Sequence, residues 1–194
     1  MLEKSLLGTK MKKNKFDKFE NKVKQLFKYL ETEFFYSFEG GCKKNFHYPM
    51  DAIVTVCYIG ELGVLINWHI GENWISVDLC ELEDGKIPKK ISFYGNEGYA
   101  KAITLDSYIE YKTNGKVISP LPEISEDMSV NEMSIRAEKR KEILESDFDS
   151  ILELYSNRLK EYAKDILNGN TDDFQQIIDY HTTKWNYKRF SNVK

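Results

Sequence analysis

The stretch VLINWHIGENWISVDL, residues 64–79, constrains the fold most. Apolar residues fall at every second position on both sides of a Gly-Glu-Asn turn. Val64, Ile66, Trp68 and Ile70 come before it, and Ile75, Val77 and Leu79 after it. A period of two belongs to strands with one buried face, so the stretch reads as a β-hairpin. The same alternation restricts the pairing, because a one-residue slip turns every side chain to the other face. With Glu72-Asn73 as the loop, Ile70 faces Ile75, Trp68 faces Val77 and Ile66 faces Leu79. The other face then sets His69 beside Ser76 and Asn67 beside Asp78, with Trp74 near the edge. A loop of Gly71, Glu72 and Asn73 would place Trp68 against Ser76 and mix the faces, so it is rejected.

A second strand precedes this hairpin. DAIVTVCYI (Asp51 to Ile59) is apolar on both faces, as a central strand is, and GELG (Gly60 to Gly63) turns it into the hairpin. The third strand is expected over Trp74 to Leu82. A turn at EDGK (Glu83 to Lys86) and a short fourth strand at KISFY (Lys90 to Tyr94) extend the meander.

The flanks switch to the helical period. Phe16, Phe19, Val23, Leu26, Phe27, Leu30 and Phe34 form one apolar stripe, so a single helix is expected from about Asn14 to about Phe35, closed by the glycines at Gly40 and Gly41. A short helix is expected over Thr104 to Gly115, with Asn114-Gly115 as its stop. SVNE (Ser129 to Glu132) fits a capping box and opens a charged helix to about Glu145. SDFD (Ser146 to Asp149) offers a second cap, followed by a stripe of Ile151, Leu152, Tyr155, Leu159, Tyr162 and Ile166 that stops at Asn168-Gly169. A last short helix carries Phe174, Ile177, Ile178 and His181.

The expected fold is therefore α+β: an antiparallel three- or four-stranded meander packed on a long N-terminal helix and a C-terminal helical region. Residues 1–13 are expected as a flexible leader, with Met11 an alternative start, and 14–194 as a single domain. The sheet occupies about 51–94 and the C-terminal helices about 129–182. An antiparallel sheet covered by helices on one face can leave the other in water.

Charge is uneven. Net charge is −3 over 194 residues, but residues 51–135 carry 6 Lys against 14 acids. The first 50 residues carry a net +5. The acidic excess lies in the sheet region, and acidic surfaces steer basic partners. The lysines between Lys10 and Lys24 are interrupted by Asp17 and Glu20, so no nucleic-acid partner is expected. No run of about 18 apolar residues occurs, so no membrane span is expected. Cys42, Cys57 and Cys80 are widely spaced and read as reduced thiols, as in the cytoplasm.

No GxGxxG, GxxxxGK[ST] or HExxH motif occurs, and His47, His69 and His181 are far apart, so neither cofactor nor metal is expected. The polar hairpin face carries the candidate residues: Asn67, His69, Glu72, Trp74, Ser76 and Asp78. A nucleophile needs a base in reach and the base an orienting group. Ser76 can meet His69, but Asp78 pairs with Asn67, so a relay is not expected. A plain solvated sheet face accounts for these residues, and an indole among hydrogen-bonding groups also suits an interface. A small hydrolase using Ser76 and His69 is the alternative from another class, and an oligomeric structural protein is a third.

The passage LKEYAKDILNGNTDDF (Leu159 to Phe174) resembles the helix endings of small bacterial immunity proteins of polymorphic toxin systems. The strand with DGKIP (Trp74 to Pro88) is similar in flavour. The resemblance covers about a fifth of the chain and transfers no functional residue. It implies a cytosolic protein that binds and neutralises a toxin domain.

Overall fold

The computed structural model describes residues 15–44, 53–115, 117–125 and 127–191. The expected leader and Met11 lie outside them, as does His47. The elements follow in order. Helix α1 covers residues 15–26, α2 Lys28–Thr32, β1 Ser37–Lys44, β2 Ile53–Ile59, β3 Gly63–His69 and β4 Trp74–Cys80. Then come β5 Ile91–Ser92, β6 Ala100–Thr104, α3 Leu105–Thr113, α4 Val130–Tyr162, α5 Lys164–Leu167 and α6 Phe174–Ser191.

The fold is α+β, with one six-stranded sheet in the order β1-β2-β3-β4-β6-β5. All pairings are antiparallel except β5 with β6. The expected three or four strands therefore become six. Strand β1 stands where a helix stop is expected, because its Gly40-Gly41 pair is a turn signal. In the structure Gly40 (φ 80°) sits at a bulge in that strand. Bulges absorb a glycine without ending the strand. Strand β6 escaped notice because AKAIT is short and runs directly into a helix.

The N-terminal helix breaks at Phe27. The chain then closes through Phe35 in the left-handed region (φ 60°), where the Tyr36 amide donates to the Leu30 carbonyl at 2.9 Å. The two C-terminal helices expected around Ser146 run as one, α4, kinked at Asp147. The Ser146 hydroxyl donates back to the Glu142 carbonyl (3.1 Å), a bond that bends a helix without ending it. The capping box at its start is present: Ser129 accepts from the Glu132 amide, and the Glu132 side chain accepts from the Ser129 amide.

One face of the sheet carries the main core. Val54, Val56, Tyr58, Val64, Ile66, Ile75, Val77, Leu79 and Ile103 pack against Phe19 and Val23 of α1, Tyr155 and Leu159 of α4, and Ile177 of α6. Each fully buried aliphatic side chain contributes about 1.5–3 kcal/mol over its exposed state. The second face is not left to water. The segment after β4 folds over it, and Ile87, Ile91 and Phe93 cover Leu65, Cys80 and Ala102. Gly63 permits this, because a Cβ there would run into Ile87 and the Cys80 sulfur.

The hairpin register differs from the expected one by two residues. His69 pairs with Trp74, Asn67 with Ser76 and Ile66 with Val77, leaving a four-residue loop, 70–73. A shift of two keeps every side chain on its own face, so the assignment of faces stands while the pairs change. The reason lies in the turn. A two-residue loop of the favoured kind needs positive φ at both positions, which Glu72 resists. In the four-residue loop only Asn73 takes positive φ (49°), and Ile70 leaves the ladder, 40% exposed.

Candidate polar hairpin site

Three adjacent strands build the site. On the second face of the sheet, Thr55 of β2, Asn67 of β3 and Ser76 of β4 lie side by side in register. The Thr55 hydroxyl donates to Asn67 Oδ1 at 2.7 Å. The Asn67 amide donates to Asp78 Oδ2 at 2.7 Å and lies 3.4 Å from Ser76 Oγ. Ser76 Oγ lies 3.4 Å from His69 Nε2. The polar side chains thus form one ladder across the sheet, ending at the hairpin loop.

Burial divides this ladder. Thr55, Asn67 and Asp78 are only 7%, 6% and 7% exposed. His69, Ser76 and Trp74 are half-buried, and Glu72 is exposed. Asn67 and Asp78, expected on a contact surface, therefore lie beneath it. Buried polar groups are tolerated where they bond one another, and Asn67 satisfies this by using both ends of its amide. Asp78 does so in part, for its Oδ1 is buried with no hydrogen-bond partner among the described residues.

The electrostatics follow from that burial. Removal from water pushes the Asp78 carboxyl up to about 7, and the nearby Asp106 carboxylate pushes the same way. Hydrogen bonds from Ser76 and Asn67 oppose them. Burial lowers the His69 imidazole, and the charge of Glu72 opposes it in part. Burial thus favours the neutral form of His69, and a neutral imidazole nitrogen can accept from Ser76.

Trp74 is held from outside the hairpin. The Arg140 guanidinium of α4 lies 4.4 Å from its ring centroid, and Arg140 Nε donates to the Pro122 carbonyl at 2.6 Å. A buried guanidinium stacked on an indole is stabilising by about 1–2 kcal/mol. Further along the sheet, Asp106 accepts from Tyr155 (3.2 Å) and Arg158 (3.4 Å). Arg158 also donates to the Ile118 carbonyl at 2.7 Å.

Chemically, the arrangement lacks a nucleophile relay. Asp78 is bonded to Asn67 and does not orient the imidazole, so the Ser76–His69 contact stands without a carboxylate behind it. Among the described residues, no group of three or more His, Cys, Asp and Glu side chains comes together as a metal site. Among them also, no helix is long and apolar enough to cross a membrane.

The sequence reading brought Asn67, His69, Ser76 and Asp78 to one face and placed Trp74 beside them, and the structure does the same. It missed Thr55 and Arg140. Thr55 could have been found by carrying the register through GELG into β2, where it aligns with Asn67. Arg140 sits in a charged helix with no local signal that singles it out. Against models of known protein families, curated protein sequences and solved structures, the chain gives no match.

Proposed function

We propose that the chain is a protein-binding module that contacts its partner through the loop end of the β3–β4 hairpin. On this reading it acts as an immunity protein that neutralises a toxin domain. The observation that carries the reading is the division of the polar ladder. A rim of exposed Glu72 and half-buried His69, Ser76 and Trp74 stands on a buried, hydrogen-bonded base of Thr55, Asn67 and Asp78. Ser76 touches both His69 and Asn67 of that base, and side chains held in this way lose less conformational entropy on binding, which favours affinity. Arg140 behind Trp74 fixes the indole in the same way. The acidic excess of residues 51–135 suits a partner with a basic face.

The test is to look for a toxin domain among the genes beside this chain and to co-express the two, scored by growth and by titration calorimetry. The wild-type chain should protect the cell, and Glu72→Lys together with Trp74→Ala should weaken binding by at least about tenfold. Full protection and unchanged affinity in that double variant would remove the hairpin from the interface. The Ser76–His69 contact favours a second reading, a small hydrolase. In that case Ser76→Ala abolishes turnover of an activated ester, while full turnover in this variant disposes of it.

A further inference from the structure

A cavity of about 250 Å³ opens at the edge of the sheet beyond β6. It forms because β5 pairs with β6 only at Ala100 and Lys101, so the end of β6 faces α6 instead of another strand. Ile103, Ile178 and Phe93 supply apolar walls, His181 a further wall, and Thr104 and Ser107 the polar end. It is about half open to solvent, and its walls are both apolar and polar, as the walls of small-molecule sites are.

Its chemistry is set by the polar end. Thr104 caps α3, and its Oγ1 accepts from the Ser107 amide at 3.0 Å. The two hydroxyl oxygens lie 2.5 Å apart, so one donates to the other. Two hydroxyls bring two hydrogens, and this contact uses one. The other has no acceptor among the described residues. A ligand that fills the cavity is therefore favoured if it brings an acceptor atom to this end.

Size and charge narrow the class further. A cavity of roughly 150 Å³ admits benzene, and drug-sized sites begin near about 300 Å³. The present one fits a single ring with a short substituent, and a dinucleotide is too large. Charge is disfavoured in one sense. Asp78 is the direct cross-strand neighbour of Thr104, and Asp106 follows Thr104 by two residues. An anion would be placed against two carboxyl groups.

We propose that this cavity binds a small, neutral, single-ring molecule carrying one hydrogen-bond acceptor, which takes the spare hydroxyl hydrogen of the Thr104–Ser107 pair. The site is separate from the hairpin rim, so it stands or falls independently of the protein-binding reading.

The experiment is an amide-detected NMR titration of the full chain with three probes: acetophenone, toluene and benzoate. Acetophenone should produce saturable shifts at Ile103, Thr104, Ser107, Ile177 and Ile178. Toluene, which has no acceptor, should bind roughly three- to tenfold more weakly, and benzoate more weakly still. Ile178→Phe should fill the space and abolish binding. Thr104→Val with Ser107→Ala removes both hydroxyls and should leave acetophenone and toluene equal. This double variant decides the matter if Ile178→Phe does not fold. Shifts that do not saturate or that fall elsewhere overturn the proposal. Equal affinity for acetophenone and toluene in the wild type overturns it as well, and so does tighter binding of benzoate.

Discussion

Replacing Asp78 with Asn should change how stability depends on pH, by an amount that follows from the site. The carboxyl moves from its ordinary 3.8 to about 7 on folding, chiefly through burial. At about 1.4 kcal/mol per tenfold change in proton affinity, the full difference is about 4 kcal/mol. The sign follows from proton counting. Between the two values the folded chain holds a proton on Asp78 and the unfolded chain does not. Its contribution to stability is therefore fully present below about pH 4 and is lost as pH rises through about 7. Between pH 5 and 8 the loss amounts to about 2–3 kcal/mol. Asparagine keeps the shape and an acceptor for the Asn67 amide, and it does not titrate. His69 works in the opposite direction: its lowered value makes stability rise with pH as the unfolded histidine loses its proton. The wild-type slope alone is thus ambiguous, whereas the difference between variant and wild type isolates Asp78. Urea unfolding at pH 5, 6, 7 and 8 measures it. Tryptophan fluorescence is a suitable probe, since Trp68 packs between Phe19 and Phe148. Relative to wild type, the variant should gain about 2–3 kcal/mol from pH 5 to pH 8. A difference that stays constant across the series refutes the account of a buried, protonated Asp78.

Two further perturbations test how the hairpin and the turn before β1 are held. Arg140→Ala removes both the stacking on Trp74 and the bond to the Pro122 carbonyl, and should destabilise the chain by about 2 kcal/mol. Hydrogen exchange should quicken in residues 130–146 while 148–162 keep their protection, and unchanged exchange in the first segment would show that the guanidinium does not hold it. Phe35→Gly should stabilise by about 0.5–1 kcal/mol. The phenyl ring is 85% exposed and contributes little packing, while its left-handed backbone is strained for any residue with a Cβ. A fall in melting temperature in this variant would mean that the ring packs in solution.

Much of the site was legible in the chain because its governing rule is local. Period-two alternation assigns Asn67, His69, Ser76 and Asp78 to one face whatever their partners, so an error of two residues in register left the face intact. Capping works on the same local scale, which is why Ser129 with Glu132, and Thr104 as the start of α3, could be read directly. The pairing itself was not legible. It depends on the conformation of loop 70–73, where Ile70 gave up a place in the ladder so that Asn73 alone could take positive φ.

The sequence by itself determined the α+β class, the hairpin and its two faces, and the helix ends at Ser129 and Asn114, because each rests on steric and hydrogen-bonding rules within a few residues. Tertiary structure alone decided which part of the polar face is buried. The segment carrying Ile87, Ile91 and Phe93 crosses the second face of the sheet, and Arg140 reaches Trp74 from 66 positions along the chain. Burial depends on which distant segments exclude water from a side chain, and with it go the raised Asp78 carboxyl, the lowered His69 imidazole and the cavity beyond β6. No pattern along the hairpin carries that information.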